Sequence, residues 1–249
     1  MIKVALNLLL IGHFLGDFYF QTNKIAQSKE ESLSKLIVHS LVYFLSMTLG
    51  ILAIISLSLF KWVVLISLLH FLVDWSKSIL IRKYPLKDKE LTSLYLLDQL
   101  IHILIIIIVA GAIALFQETL QYTGFFKSIS DILNLNLELI FSSILATIII
   151  IKPVSITIKR VLYQYQPEVV KKEEMGHPGA GSLIGILERL IILIMLSQNQ
   201  YAAIGFVLTA KSIARYKRII EDPKFSEYYL LGTLLSMLSV IVTFMISYT

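Results

Sequence analysis

The stretch "VALNLLLIGHFLGDFYFQ", residues 4–21, is apolar enough to lie in lipid, yet it contains His13, Asp17 and Gln21. These three residues are four positions apart, so a helix would place their side chains on one face. The stretch also approaches the roughly 20 residues that a helix needs to cross a bilayer. It therefore predicts a membrane-spanning helix whose polar face packs against other protein segments rather than lipid.

The whole chain has the composition of a membrane protein. Of its 249 residues, 57% are hydrophobic and 16% are charged, and the mean hydropathy is +0.79. A soluble domain has about half apolar and about a quarter charged residues. We therefore predict an all-α, polytopic transmembrane bundle with the lipid bilayer as its surroundings. The net charge of +5 indicates basic cytoplasmic loops, so we expect no nucleic-acid partner. The absence of cysteine excludes disulfides and thiolate metal ligands.

Eight apolar segments are candidate membrane spans, and the seventh is the weakest because basic residues follow it closely. They cover residues 2–21, 36–59, 61–81, 93–116, 137–159, 182–198, 200–216 and 228–247. Cytoplasmic loops are enriched in lysine and arginine. With the N-terminus outside, the outer loops hold only Lys3, Lys61 and Lys127. The pattern predicts eight crossings with both termini outside; if segment 200–216 is re-entrant, the C-terminus moves inside.

The predicted cytoplasmic loops contain most of the basic residues. These are Lys24, Lys29, Lys35, Lys77, Arg82, Lys83, Lys87, Lys89, Lys159, Arg160, Lys171, Lys172, Arg215, Lys217, Arg218 and Lys224. One of these loops ends in "GHPGAG", residues 176–181, a glycine- and proline-containing turn that we expect to separate two halves of the protein. We predict three regions. Residues 1–116 form a four-helix core, residues 117–181 contain the fifth span with its flanking loops, and residues 182–249 form a three-helix segment.

A histidine and an aspartate four residues apart recur in three predicted spans. The pairs are "HFLGD" (His13, Asp17), "HFLVD" (His70, Asp74) and, in reverse order, "DQLIH" (Asp98, His102). The third pair lies in a span of opposite direction, so every Asp is predicted nearer the cytoplasm than its His. His39, close to the start of the second span, joins this layer. At 1.5 Å per residue, the layer lies roughly 6–15 Å below the cytoplasmic surface.

The composition of this layer suits a divalent metal ion. A carboxylate facing lipid costs about 2.5–3.5 kcal/mol, so the aspartates must face the bundle interior and have partners. Imidazole and carboxylate together are typical ligands of zinc, with manganese or iron as alternatives. The predicted ligands are His13, Asp17, His39, His70, Asp74, Asp98 and His102. Seven ligands exceed the number that one zinc takes, so two ions about 3.5–4 Å apart are an alternative.

Two readings without a resident metal ion stay open. The same side chains can form interhelical hydrogen bonds that hold a bundle together. They can also relay protons or ions. Of the aspartates, Asp17, Asp74 and Asp98 are candidate catalytic groups, because a carboxylate that does not bind metal can act as a general base.

Residues outside the layer are candidate substrate contacts. Gln21 would hydrogen-bond Asp17 or mark the end of its helix, and Lys77 would pair with Asp74, bind an anionic substrate or reach the interface. Gln99 is expected to face elsewhere, as packing.

The second half of the chain has a polar group of its own. In "GSLIGILER", residues 181–189, Gly181, Gly185 and Glu188 share a helix face, and the glycines predict a close helix contact. We expect Glu188 to form an ion pair with Lys211. Alternatively, Lys211 and Arg189 together attract an anion.

Several of these motifs resemble a family of bacterial integral membrane proteins, the domain-of-unknown-function family 3307. The likeness rests on "HFLGDFYFQTNKIAQSK", "HS" at 39–40, "HFLVDWSK" and "DQLIH", and covers roughly residues 8–110. The segments "GSLIGILERLI", "AIGFVLTAKSIAR" and "EYYLLGTLLS" resemble the second half of long members. This resemblance implies location in the bacterial inner membrane but no particular reaction. In motif style alone, the helices also resemble inner-membrane proteins described as metal-dependent hydrolases, from which no catalytic residue is carried over.

We therefore predict a metal-dependent membrane hydrolase that acts near the cytoplasmic leaflet on a lipid-linked or anionic substrate. The alternative is a transporter or channel for metal ions or protons. The outer halves of the first four spans, such as "VALNLLLIG" and "IIIIVAGAIALF", are nearly free of polar residues, which disfavours a permeation path. A third alternative is a structural or regulatory membrane protein whose polar layer binds no metal.

Overall fold

The computed structural model describes residues 1–21, 32–55, 57–167, 177 and 179–248, and nearly all of them are helical. Two short strands, β1 (Ile54–Ile55) and β2 (Gln121–Tyr122), pair antiparallel. The first six helices are α1 (Ile2–Phe14), α2 (Leu33–Gly50), α3 (Leu57–Lys83), α4 (Asp88–Leu115), α5 (Gly124–Leu133) and α6 (Leu137–Ile151). The others are α7 (Pro153–Val161), α8 (Ala180–Ser197), α9 (Tyr201–Ala214), α10 (Tyr216–Glu221) and α11 (Pro223–Tyr248). The predicted all-α fold is confirmed.

Among the described residues, seven helical segments are long and apolar enough to cross a membrane. They are Ile2–Tyr19, Leu33–Ala53, Leu59–Lys83, Asp88–Leu115, Leu137–Val161, Ala180–Ser197 and Pro223–Tyr248. The remaining predicted span, 200–216, corresponds to α9, which has only 14 residues. The chain is therefore a multi-pass membrane protein. Its orientation and the crossing by α9 stay predictions.

The chain divides into an N-terminal unit, Met1–Ile148, and a C-terminal unit, Ile149–Thr249. The division into three regions stays a prediction. Several residues of the predicted cytoplasmic loops lie outside the described residues. These are Lys24, Lys29, Lys171 and Lys172, together with Gly176 and Pro178 of the "GHPGAG" turn, of which His177 is described and exposed.

Helix α1 is the most buried helix of the N-terminal unit and packs against α2 and α4. Glycines allow α1 and α2 to approach closely. A Cβ on Gly50 would lie 2.7 Å from the Leu8 carbonyl oxygen, and one on Gly12 would lie 2.9 Å from Met47 Cα. The Ser46 hydroxyl, on α2, donates a 2.8 Å hydrogen bond to the Gly12 carbonyl oxygen. Small residues at this crossing therefore fix the position of the helix that contains His13.

The chain leaves α1 through a π-helical turn, Leu15–Tyr19, which the sequence pattern did not predict. The Phe20 amide donates to the Leu15 carbonyl oxygen at 2.8 Å, five residues back. Such turns widen a helix and occur frequently at functional sites. Here the turn contains Asp17.

The C-terminal unit is organised around α8, which packs against α7, α9 and α11. The fifth apolar segment is broken at Lys152, because Pro153 cannot donate a backbone hydrogen bond. The last carbonyls of α6 lack intrahelical donors, and Arg189 Nε donates to one of them, Ile150 O, at 2.6 Å. The close helix contact predicted at Gly181 is wrong, since no described atom lies within 4 Å of a Cβ placed there.

Candidate metal centre

The seven histidines and aspartates singled out in the first half of the sequence form one buried cluster. They come from α1, the π-helical turn, α2, α3 and α4, and none is more than 8% exposed. They are His13, Asp17, His39, His70, Asp74, Asp98 and His102. The spacing of four residues predicted this convergence, although Asp17 lies on a π-helical rather than an α-helical turn.

Four of these residues place their ligand atoms in a compact cage. His39 Nε2 lies 3.2 Å from Asp17 Oδ1 and 3.3 Å from Asp74 Oδ2. His70 Nε2 lies 3.4 Å and 3.6 Å from the same two oxygens. The two Nε2 atoms are 3.3 Å apart. A tetrahedral zinc ion with bonds of about 2.0–2.1 Å separates its ligand atoms by about 3.3–3.4 Å. Five of the six separations in this cage are therefore close to those that one tetrahedral ion requires.

Two further sets of residues could hold an ion beside this cage. His13, Asp17, His70 and His102 form one set, and Asp74, Asp98 and His102 form the other; within each set the ligand atoms lie within 4.8 Å of one another. Both sets share a carboxylate with the cage. A shared carboxylate can bridge two ions, so the cluster also suits a two-metal centre.

His102 supplies independent evidence that a ligand belongs here. Its side chain is buried, and neither ring nitrogen has a hydrogen-bond partner in the part of the chain that the structure describes. Its Nε2 is 4.0 Å from Asp98 Oδ1, too far for a hydrogen bond. An imidazole without partners is costly to bury. A metal ion would remove this cost.

The charges of the cluster also favour a cation. Asp17, Asp74 and Asp98 are buried, and the ammonium of Lys77 lies 3.0 Å from Asp98 Oδ2. With neutral histidines, three carboxylates and one ammonium leave two net negative charges. Buried charge is expensive unless it is paired. One divalent ion would balance it.

Tyr43, on α2, holds two of the histidines in place and is not among the site residues predicted from the sequence. Its ring stacks on that of His70, with centroids 3.6 Å apart and an angle of 4°. Its hydroxyl lies 3.1 Å from His13 Nδ1. Groups that contact ligand histidines from outside fix their orientation. Tyr43 comes four residues after His39, so the helical repeat could have identified it.

Gln99 and Lys77 complete one side of the cluster. Gln99 Nε2 donates to Asp17 Oδ2 at 3.0 Å and to Asp98 Oδ2 at 3.3 Å, so the expectation that Gln99 faces elsewhere is wrong. Lys77 pairs with Asp98, on the neighbouring helix, rather than with Asp74. Both contacts place donors on carboxylate oxygens and leave the imidazoles available.

The other predicted site residues lie outside the cluster. Gln21 Nε2 is buried with no hydrogen-bond partner among the described residues, and Asp17 bonds Gln99 instead. In the C-terminal unit, Lys211 Nζ lies 2.7 Å from Glu188 Oε2, so that predicted ion pair is confirmed. Arg189 donates to the Ser155 and Ser236 hydroxyls in addition to Ile150 O.

Comparison with known proteins identifies a family but no characterised relative. No curated protein and no solved structure matches the chain. A family model described as "Protein of unknown function (DUF3307)" matches residues 5–133, which include every member of the His/Asp cluster. Because this match covers more than half of the 249 residues, the chain belongs to the DUF3307 family.

Proposed function

We propose that the protein is a metal-dependent membrane hydrolase, located in a bacterial inner membrane, whose metal centre is the buried His/Asp cluster. The observation that carries this proposal is the cage of His39, His70, Asp17 and Asp74, with atom separations of 3.2–3.6 Å. Zinc fits these dimensions and this mixture of nitrogen and oxygen ligands best. Manganese and iron also accept imidazole and carboxylate ligands, and they are the alternatives that elemental analysis would distinguish.

The reaction class follows from what such a centre supplies. A bound divalent ion lowers the pKa of a coordinated water towards neutrality and polarises a phosphoryl or acyl oxygen. In the hydrolysis, water attacks the phosphorus or acyl carbon, and the bond to the alcohol leaving group breaks. The water proton passes to a carboxylate that acts as general base, and this carboxyl group then gives it to the departing oxygen, which leaves as the alcohol.

Asp98 is the carboxylate best suited to act as the base. It lies outside the four-atom cage, and Lys77 and Gln99 both hold its Oδ2. Its Oδ1 has no hydrogen-bond partner among the described residues. This oxygen can therefore accept a proton while the other stays fixed. Asp17 and Asp74 serve mainly as ligands, since each has an oxygen within the cage.

A groove beside the centre supports a lipid-linked substrate. A cavity of about 350 Å³ lies between α3 and α4, and its walls include Leu72, Val73 and Leu97. Lys77 and Asp98 also line it. Leu72 and Leu97 are 40% and 52% exposed, so the groove opens on the surface that a membrane would cover. An acyl chain in this groove would bring an anionic headgroup to the Lys77 ammonium, next to the cluster.

The transport alternative lacks comparable support. On α3 and α4, the most buried residues on the far side of the cluster from Lys77 are apolar, as at Val63, Ile66, Ile106 and Ile113, although the Ser67 hydroxyl is also buried there. An ion leaving the cluster in this direction would meet side chains that cannot replace its hydration shell. The centre is therefore better suited to retaining an ion than to passing it on.

The test is metal content followed by activity. Protein purified in mild detergent without chelator should contain about one or two equivalents of a divalent transition metal by elemental mass spectrometry. His39→Ala and His70→Ala should lose it. His177→Ala should retain it, because His177 lies exposed outside the cluster. Folded wild type without metal, even after metal is added back, would refute the proposal.

Activity separates the enzyme from a structural metal site. The metal-loaded protein should hydrolyse a lipid phosphoester or a lipid ester. Asp98→Asn should keep the metal yet lose about 10²–10⁴ in rate, as expected for removal of a general base. If metal is present and these substrates are not hydrolysed, the hydrolase assignment fails while the metal centre stands.

A further inference from the structure

The C-terminal unit contains a cavity of about 530 Å³, within the range typical of ligand-binding sites. Its apolar wall includes Ile158, Leu162, Ile184 and Phe225. Glycines keep part of this wall free of side chains: Gly181 lines the cavity, and a Cβ there would meet no described atom within 4 Å. The shape therefore leaves room for a hydrocarbon segment next to α8.

Cations line the same cavity. They are Arg189, Lys211 and Arg215, and among the described residues the only carboxylate lining the cavity is that of Glu188. Glu188 is engaged by Lys211 at 2.7 Å. Arg189 is buried and donates to uncharged oxygens. Within the described part of the chain, the Arg215 guanidinium has no ion pair. The cavity wall therefore has an excess of positive charge, which complements an anion.

Two of these cations, Lys211 and Arg215, lie at the end of a helix. Lys211 is in the last turn of α9, Arg215 follows that helix, and Phe225 is in the first turn of α11. Arg215 and Phe225 are thus at helix ends, and Ile184, on the apolar wall, lies on a helix apolar enough to span a membrane. Basic residues close to a membrane surface attract anionic lipids.

We propose that this cavity binds an anionic phospholipid, with its phosphate at Arg215 and Lys211 and one acyl chain along the wall beside Gly181. The binding site lies entirely within residues of the C-terminal unit. The proposal is independent of the metal-dependent hydrolysis, and each can fail while the other holds.

The test measures lipid binding to the full-length protein in detergent by native mass spectrometry. Phosphatidylglycerol, phosphatidylcholine with the same acyl chains, and water-soluble glycerol phosphate are the three probes. Two variants are each paired with a control: Arg215→Gln with Lys217→Gln, and Gly181→Leu with Gly205→Leu. Lys217 and Gly205 do not line the cavity, and a Cβ at Gly205, as at Gly181, would meet no described atom within 4 Å. These pairs change the same charge or the same volume inside and outside the cavity.

We expect phosphatidylglycerol to bind wild type more tightly than phosphatidylcholine does. Arg215→Gln should weaken its binding about fivefold, the effect of one basic residue near an anionic lipid. Gly181→Leu should weaken it about tenfold by excluding part of an acyl chain. Both controls should bind like wild type, and glycerol phosphate should not compete.

Three results would overturn the proposal. Equal binding of the two lipids, or equal binding by each variant and its control, would show that the cavity does not select an anionic lipid. Competition by glycerol phosphate at similar concentrations would show a site for a soluble anion. A lipid-free dimer that Gly181→Leu dissociates and Gly205→Leu does not would show that a second copy of the chain occupies the cavity.

Discussion

Replacing Tyr43 by phenylalanine tests whether the His/Asp cluster is a metal centre whose ligands are held in place from outside. The change removes the hydroxyl, 3.1 Å from His13 Nδ1, and keeps the ring that stacks on His70 at 3.6 Å. Removing a side chain that hydrogen-bonds to a metal-binding histidine typically weakens metal affinity about 10–100-fold. Because the stack is retained, we expect the lower end, about a tenfold weaker affinity.

The assay is competition for the metal against a chelator of known affinity, with the metal remaining on the protein measured at each chelator concentration. Tyr19→Phe is the matched control. Its hydroxyl donates to the Ile148 carbonyl oxygen at 2.8 Å, so Tyr19→Phe also removes one tyrosine hydroxyl and its hydrogen bond. We expect Tyr19→Phe to lower the free energy of unfolding by about 1 kcal/mol and to leave metal affinity unchanged. Equal affinity in Tyr43→Phe and wild type would refute the role assigned to Tyr43, and equal losses in both variants would indicate a general effect of stability.

Three further outcomes test the packing and the charges of the N-terminal unit. Gly50→Leu should lower the thermal midpoint of unfolding strongly, because a Cβ there would lie 2.7 Å from a backbone oxygen of α1 and overpacking costs about 1–3 kcal/mol or more. Gly111→Leu should leave the midpoint unchanged, because a Cβ there would meet nothing within 4 Å. Lys77→Met should destabilise the chelator-treated protein by about 3 kcal/mol, as for other broken buried pairs, and should destabilise the metal-loaded protein by less. Both values are measured by denaturant unfolding, and equal effects would contradict a cation near Asp98. Chelation should lower the free energy of unfolding of wild type by about 2.7 kcal/mol if the free metal was about 100 times its Kd, and should leave that of His70→Ala unchanged.

The sequence was sufficient to predict the cluster because the bilayer leaves few options for charged groups. Each aspartate within a span would cost about 2.5–3.5 kcal/mol in lipid, so Asp17, Asp74 and Asp98 had to face one another or other polar groups. The histidines lie one turn away on the same helix faces, so they must also face the bundle interior. Membrane spanning and convergence thus follow from energetics that a single sequence contains.

Other features depend on tertiary contacts that a helical repeat does not reveal. The π-helical turn at Leu15–Tyr19 changes the bonding pattern locally, and nothing in the apolar periodicity distinguishes it from an α-helix. Gln99 was assigned to a different face from Asp98, yet its long side chain reaches across to Asp17. A flexible amide of this length can contact groups well away from the direction of its own Cα–Cβ bond.

Glycines do mark a close helix contact in this protein, but at positions other than the predicted ones. Close packing was predicted at Gly181 and Gly185, whereas the close helix approach occurs at Gly12 and Gly50. Gly12 and Gly16 flank His13 with the four-residue spacing typical of close helix pairs in membranes. Packing and the cluster belong together, because the glycines bring α2, and with it His39 and Tyr43, against α1.

The buried charge of the cluster would couple metal binding to the folding of the N-terminal unit. With neutral histidines and without a cation, the unit would bury two net negative charges together with the imidazole of His102, which has no hydrogen-bond partner among the described residues. Both penalties fall on the folded state alone, since the unfolded chain can protonate or solvate these groups. Binding of a divalent ion would remove both at once, so its free energy would appear as stability of the fold. The residues that would bind the ion are therefore the residues that carry these two penalties.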